Sequence, residues 1–125
     1  MSTGKKTRVS LYNRTRDVVL ADEVAIADTF LPRLIGLLGK GPQWATERRG
    51  LWIIPSHGVH TLGMKFSIDV VFLDRKKRVV HVENSLRPWR LSKVISSARS
   101  VVELPVATIA NSQTQVGDQL EKISG

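Results

Sequence analysis

With 125 residues, 42% of them hydrophobic and 24% charged, the chain has the length and composition of one soluble domain with a single core, and is too short for two. The absence of cysteine excludes disulfides, thiolate metal centres and thiol catalysis. A formal net charge of +8 turns attention to anionic partners.

No apolar run approaches the roughly 18–20 residues that a membrane span requires. The basic start Met-Ser-Thr-Gly-Lys-Lys-Thr-Arg leads into no apolar segment of the secretory kind. The expected location is the cytoplasm, with no membrane partner, no cofactor and a monomer by default. Residues 1–50 hold nine Lys/Arg against five Asp/Glu, and residues 51–125 hold ten against six, so each part is +4 and no detached basic tail exists. From Arg75 to Arg99 eight basic residues face only Glu83, a +7 window. Such a window is either a solvated face that maintains solubility or a surface for phosphate-rich partners.

In chain order, residues 1–8 are expected to be disordered and 9–125 to form one domain. Val9, Leu11 and Val18–Leu20 suggest short strands around a polar turn at Asn13–Asp17, and Val24–Ala27 continues as strand. Leu31, Leu34, Ile35 and Leu38 fall at helical spacing. Asp28 or Thr29 can cap their first turn, and Gly39 and Gly41 stop the helix. Arg33 lies off this apolar stripe. Leu51–Ile54 reads as a buried strand stopped by Pro55, and Val59–Met64 as the next strand. Ile68–Leu73 is apolar except at Asp69, so both faces of that strand should be covered. Asp74–Arg78 is a charged hairpin loop, and Val79–Val82 returns as strand. Val101–Leu104 forms another strand, Thr108–Gln113 one or two helical turns, and Val116–Leu120 a turn into a last short strand. The pattern predicts a mainly β, single-domain barrel or jelly-roll-like sandwich of about eight short strands, with one inserted helix near residues 30–38.

The stretch His60-Thr61-Leu62-Gly63-Met64-Lys65-Phe66-Ser67-Ile68-Asp69-Val70-Val71-Phe72-Leu73-Asp74 resembles the central signature of the family termed domain of unknown function 192. Supporting matches are Ala27-Asp28-Thr29, Arg33, Gly36-Leu37-Leu38-Gly39, Arg87-Pro88-Trp89-Arg90, Ala98-Arg99, Val102-Glu103-Leu104-Pro105 and Gly117-Asp118-Gln119-Leu120, in the family's order. Together they span about Val24 to Leu120. Ser67 replaces the usual proline of the bend, and Lys77 replaces a glycine of the hairpin, which should alter that turn's type. The resemblance implies a compact, mostly β, prokaryotic protein, and it implies no activity.

His57 and His60 have His-x-x-His spacing, but on extended chain they point to opposite faces and lack a nearby third ligand, so no metal site is expected. Lys65 and Asp69 would lie about 13 Å apart in a straight strand, and a bend at Phe66-Ser67 could bring them together. A carboxylate between Ile68 and Val70 needs partners, because burying it unpaired is costly. Backbone N–H groups of the bend, Lys65, Arg33 or Arg99 are the candidates. Asp69 is then either a structural staple or part of a polar pocket of His60, Lys65, Asp69, Glu103 and Arg33 that binds a ligand or moves a proton. No Gly-x-Ser-x-Gly, phosphate loop or close carboxylate pair supports an enzyme. Asp118, in a turn after Gly117, should bond local backbone. The remaining candidate surface is basic: Arg75, Lys76, Lys77 and Arg78 for phosphates, with Trp89 between Arg87 and Arg90 as a base-stacking platform. Trp89 serves equally well as a plug for an open barrel end. The leading reading is a small non-enzymatic binding or interaction module that uses the ends of the β fold or its basic face to hold a protein, nucleic acid or small polyanion. The alternative is an enzyme, of the hydrolase kind, with its pocket around His60, Lys65 and Asp69.

Overall fold

The computed structural model describes residues 8–27 and 48–123. The aliphatic and β-branched runs form β1 (Arg8–Asn13), β2 (Val18–Ala27), β3 (Arg49–Ile53), β4 (Ile68–Leu73), β5 (Val79–Leu86), β6 (Ser100–Pro105) and β7 (Leu120–Ile123). One short helix, α1 (Thr108–Ser112), sits between β6 and β7. The strands form a single sheet in the order β5-β4-β6-β3-β2-β1-β7. Only β2 and β3 pair in parallel among the described strands. The mainly β character matches the expectation, with seven described strands in one curled sheet rather than a two-sheet sandwich; the predicted helix near residues 30–38 lies outside the described residues, as do residues 1–7 of the expected disordered start. Arg8 belongs to β1, where it pairs with Ala25 and forms an ion pair with Glu23 at 3.1 Å.

The sheet curls so that its outer strands nearly meet, giving a half-barrel. Arg78 bridges Gln119, the Val79 N–H donates to Asp118 O at 2.9 Å, and the Leu120 N–H donates to Lys77 O at 3.0 Å. Asp118 fixes this closure. Its carboxylate accepts hydrogen bonds from the Arg16 guanidinium, Asn13 Nδ2 and the Gln115 N–H, each at 3.0–3.1 Å. Burial alone would raise this carboxyl, yet the bonds from Arg16, Asn13 and Gln115 outweigh it and hold the group below the usual carboxylate range. The local backbone bond expected for Asp118 is present, together with two side-chain partners from the β1–β2 turn.

Alternation along the strands creates two apolar clusters. Inside the curl, Leu11, Val24, Trp52, Val71, Leu73, Val102, Leu104 and Leu120 pack with Ile109 of α1. On the outer face of β4 and β6, Ile68, Val70, Phe72 and Val101 pack with Met64 and Ala98. Every residue of β4 and β6 is buried, as the two-sided apolar run of β4 predicted. Each fully buried Val, Leu or Phe contributes about 1.5–3 kcal/mol. The central strands are therefore the most strongly held part of the molecule.

Val18–Leu20 and Val24–Ala27 belong to one ten-residue strand, Val18–Ala27, in which Val24–Ala27 continues the strand as expected. Val59–Met64 is not a strand. His60 makes one isolated bridge to Leu91, after which the chain turns, with the Met64 N–H donating to Thr61 O at 3.0 Å and Gly63 at φ 83°. A glycine accepts that left-handed backbone without steric cost, so Gly63 ends extended structure where hydropathy alone suggested its continuation.

Candidate functional site

The outer apolar cluster is covered by a ribbon made of two loops, residues 57–66 before β4 and 87–98 after β5. Thr61 clasps them. Its N–H donates to Arg90 O and its carbonyl accepts from the Trp89 N–H, both at 2.9 Å. The Thr61 hydroxyl donates to Arg87 O and accepts from the Arg90 N–H at 2.9 Å. A hydroxyl is needed because the group must donate and accept at once; valine has the shape but neither capacity. Farther along, the Val59 N–H donates to Ser92 Oγ, and the Ser92 and Ile95 N–H groups donate to Val59 O and His57 O, all at 2.9 Å. Gly58 permits this approach: a Cβ there would stand 2.9 Å from Lys93 O. Glu83 ties the ribbon to the sheet by accepting the Lys93 N–H at 2.8 Å.

Met64, Val59, Phe66, Ile95 and Ala98 point from the ribbon into the outer cluster. Buried Thr61 sits between exposed His60 and Leu62, so the opposite side of the ribbon faces solvent. On that side Trp89 is 65% exposed, Leu91 71% and Leu62 43%. Trp89 is thus a surface residue and plugs no barrel end. Its backbone lies at φ 62°, an uncommon conformation for a bulky side chain and one that the Thr61 bonds enforce. Residues 55–67 and 87–99 carry Lys65, Arg87, Arg90, Lys93 and Arg99 and no Asp or Glu. Sequence reasoning found Arg87, Trp89 and Arg90 here but missed Thr61, Leu62, Leu91 and Val94. These lie in loops without periodicity, and only their pairing across the ribbon brings them together.

The polar residues expected to form one pocket are placed apart. Asp69 pairs with Leu104 and Val70 with Glu103, so Asp69 and Glu103 project from opposite faces of the sheet. Asp69 is fully buried. Its Oδ1 accepts the Ser85 N–H and its Oδ2 the Ile109 N–H, both at 2.9 Å. Neither Lys65 nor Arg99 is a partner; the backbone donors lie in β5 and α1 rather than in the bend. The first of these bonds stabilises the β5 irregularity opposite Asp69, where Ser85 stands at φ 53°. The second replaces a missing cap, because the α1 N-cap is Ala107, which has no side-chain acceptor. His60 and Lys65 are exposed on the ribbon, and the Leu62 N–H donates to His60 Nδ1 at 3.2 Å. Arg33 lies outside the described residues.

Glu103 is buried at 4% exposure, and desolvation pushes its carboxyl up to about 8. Cross-strand register puts it on the outer face with Glu83 and His81, one strand of Val70 and Phe72 intervening. His81 Nε2 lies 3.3 Å from Glu83 Oε2, and its ring meets Phe72 edge-on at 5.0 Å. Among the described residues, no three His, Cys, Asp or Glu come together in a way that could hold a metal ion.

The basic window is split. Arg75, Lys76, Lys77 and Arg78 occupy the β4–β5 turn, and Arg87–Arg90 follow the far end of β5, about 23 Å away for eight extended residues. Asp74 Oδ1 accepts the Lys76 and Arg78 N–H groups at 2.8 and 2.9 Å, which builds the turn. Lys77 takes φ 65°, the left-handed conformation that a glycine adopts most easily.

No described helix is long and apolar enough to cross a membrane. A UPF0127 protein of Pyrococcus abyssi is 34% identical over 119 residues, covering 91% of this chain and 97% of the relative. One from Pyrococcus horikoshii is 33% identical over 116 residues, covering 89% and 96%. Among solved structures, a protein of unknown function from Novosphingobium aromaticivorans superposes with TM-score 0.72 at 15% identity, covering 93% of this chain and 84% of that one. A Sinorhizobium meliloti protein whose suggested role is transcription regulation gives TM-score 0.70 at 20% identity, covering 94% and 93%. The family model described as Uncharacterized ACR (DUF192) matches residues 11–122, and with relatives of this similarity along nearly its whole length the chain belongs to that family.

Proposed function

We propose that the protein is a non-enzymatic, cytoplasmic binding module that engages anionic partners through the Trp89 ribbon. The observation that supports this most is the exposed Trp89 on two loops that carry Lys65, Arg87, Arg90 and Lys93 and not a single carboxylate. None of those four cations takes part in an ion pair among the described residues, so their charge is available to a partner. Binding is favoured over catalysis because Asp69, the centre of the alternative pocket, commits both oxygens to backbone N–H groups. The Arg75–Arg78 turn provides a second, separate positive surface that adds long-range attraction.

Heparin fragments and a single-stranded oligonucleotide, titrated by fluorescence anisotropy at rising salt, test the reading. The wild type should bind, with affinity falling as salt rises. Reversing Arg87 and Arg90 to glutamate should weaken binding at least about tenfold. Absence of binding at low salt, or indifference to the double reversal, overturns the proposal. Carrying over the role suggested for the Sinorhizobium meliloti neighbour would make nucleic acid the anion, which the oligonucleotide titration addresses.

A further inference from the structure

Of the seven exposed large hydrophobic side chains among the described residues, four stand on the ribbon: Leu62, Trp89, Leu91 and Val94. Val94 is 77% exposed. His60 pairs with Leu91, and the Thr61 bonds set Leu62 opposite Trp89, so an aromatic and two leucines form one outward strip. Stacking on a nucleic acid base uses Trp89 but gives Leu62, Leu91 and Val94 nothing to do, because aliphatic side chains offer no π-face. A bilayer interface uses all of them. Tryptophan settles at the headgroup level, leucine and valine reach the acyl boundary, and Lys65, Arg87, Arg90 and Lys93 meet anionic headgroups. Charge complementarity commits the surface to an anionic leaflet rather than a neutral one, and the leaflet facing the cytoplasm carries that charge.

We infer that the Trp89 ribbon docks the protein on the surface of an anionic lipid bilayer, inserting Leu62, Trp89 and Leu91 between headgroups while the flanking cations hold lipid phosphates. The inference rests on the anion-binding reading above and names its partner. It departs from the sequence expectation of no membrane partner, which followed from the absence of a span. Surface docking needs no span, only a few apolar side chains brought together by the fold.

The test uses the full chain with vesicles of phosphatidylcholine alone and of phosphatidylcholine mixed with phosphatidylglycerol, read by co-sedimentation, alongside heparin binding. Leu62→Asp and Leu91→Asp are combined in one variant. Both positions are exposed, so the fold should persist, checked by an unchanged melting temperature. The wild type should sediment with the mixed vesicles and not with phosphatidylcholine alone. The double variant should lose at least about tenfold in vesicle affinity while keeping its heparin affinity. Quenching of tryptophan emission by brominated lipid should vanish in Trp89→Phe. If the wild type binds heparin or the oligonucleotide but not the mixed vesicles, or if the Leu62/Leu91 variant binds vesicles as the wild type does, the lipid proposal is overturned and the anion-binding reading stands. If neither heparin nor vesicles bind, both are overturned.

Discussion

Glu103 gives stability an unusual pH dependence. It lies mid-strand in β6 between Leu51 of β3 and Val70 of β4, 4% exposed, and no described side chain donates a hydrogen bond to it. Burial raises its carboxyl from 4.5 to about 8. The folded pKa exceeds the unfolded one, so between these values the unfolded chain has released a proton that the folded chain retains. Stability contributed by Glu103 is therefore complete below about pH 4.5 and declines until about pH 8. At about 1.4 kcal/mol per tenfold change in proton affinity, the total is about 5 kcal/mol. This is on the order of half the stability of an ordinary domain. Glutamine keeps the shape and cannot ionise. Urea unfolding of wild type and Glu103→Gln, followed by circular dichroism at about pH 5 and about pH 9, measures the difference. The two proteins should agree within about 1 kcal/mol at the lower pH, with the variant ahead by several kcal/mol at the higher. Asp118 does not confuse the result. Its lowered pKa gives stability that is lost only as pH falls through the acid range below the usual carboxylate value. Parallel pH profiles for wild type and Glu103→Gln would refute the desolvated carboxyl.

Two further substitutions probe the frame that carries the ribbon. Asp69→Asn turns one of two acceptor oxygens into a donor facing the Ser85 or Ile109 N–H. The loss should be about 2–4 kcal/mol, seen as a fall of about 10 °C in melting temperature; a loss under about 1 kcal/mol contradicts the staple. Lys77→Gly relieves the left-handed backbone at φ 65° and should raise the urea midpoint by about 0.5–1 kcal/mol of stability. A lower midpoint would show that the lysine stem contributes more by packing than its backbone costs.

What the sequence disclosed follows from the kind of force involved. Hydrophobic patterning announces strands, so Ile68–Leu73 and Val101–Leu104 were legible as buried elements, and the family resemblance runs through both. Register is not written in a single strand. Asp69 and Glu103 each looked like a polar residue in an apolar run, and only the pairing of Asp69 with Leu104 reveals that they face opposite ways. That lost the pocket. Hydrogen bonds between loops leave still less trace: nothing periodic in His57–Phe66 or Arg87–Ala98 foretells that they pair, and Thr61 reads as an ordinary strand threonine. The glycine expected at Lys77 was a fair guide to backbone shape but not to residue identity, because the cost of a left-handed lysine is small beside that of two ladder strands.

The same comparison of magnitudes explains why the signature stretch and the exposed tryptophan belong together. A non-glycine residue at φ 62° costs about 1–2 kcal/mol, and an exposed indole gains nothing from burial. Against this, Thr61 makes four hydrogen bonds to residues 87–90, each worth about 1 kcal/mol net. Those bonds win, and they fix the turn with Trp89 outward. Asp69 works in the same direction from beneath, holding Ser85 and hence the end of β5 from which the 87–98 loop departs. Thr61, Gly63 and Asp69 therefore act as positioning residues for a surface built largely by other residues. A chain selected only for stability would have no use for a clasp that holds Trp89, Leu91 and Leu62 in water. The clasp makes sense where a partner covers them.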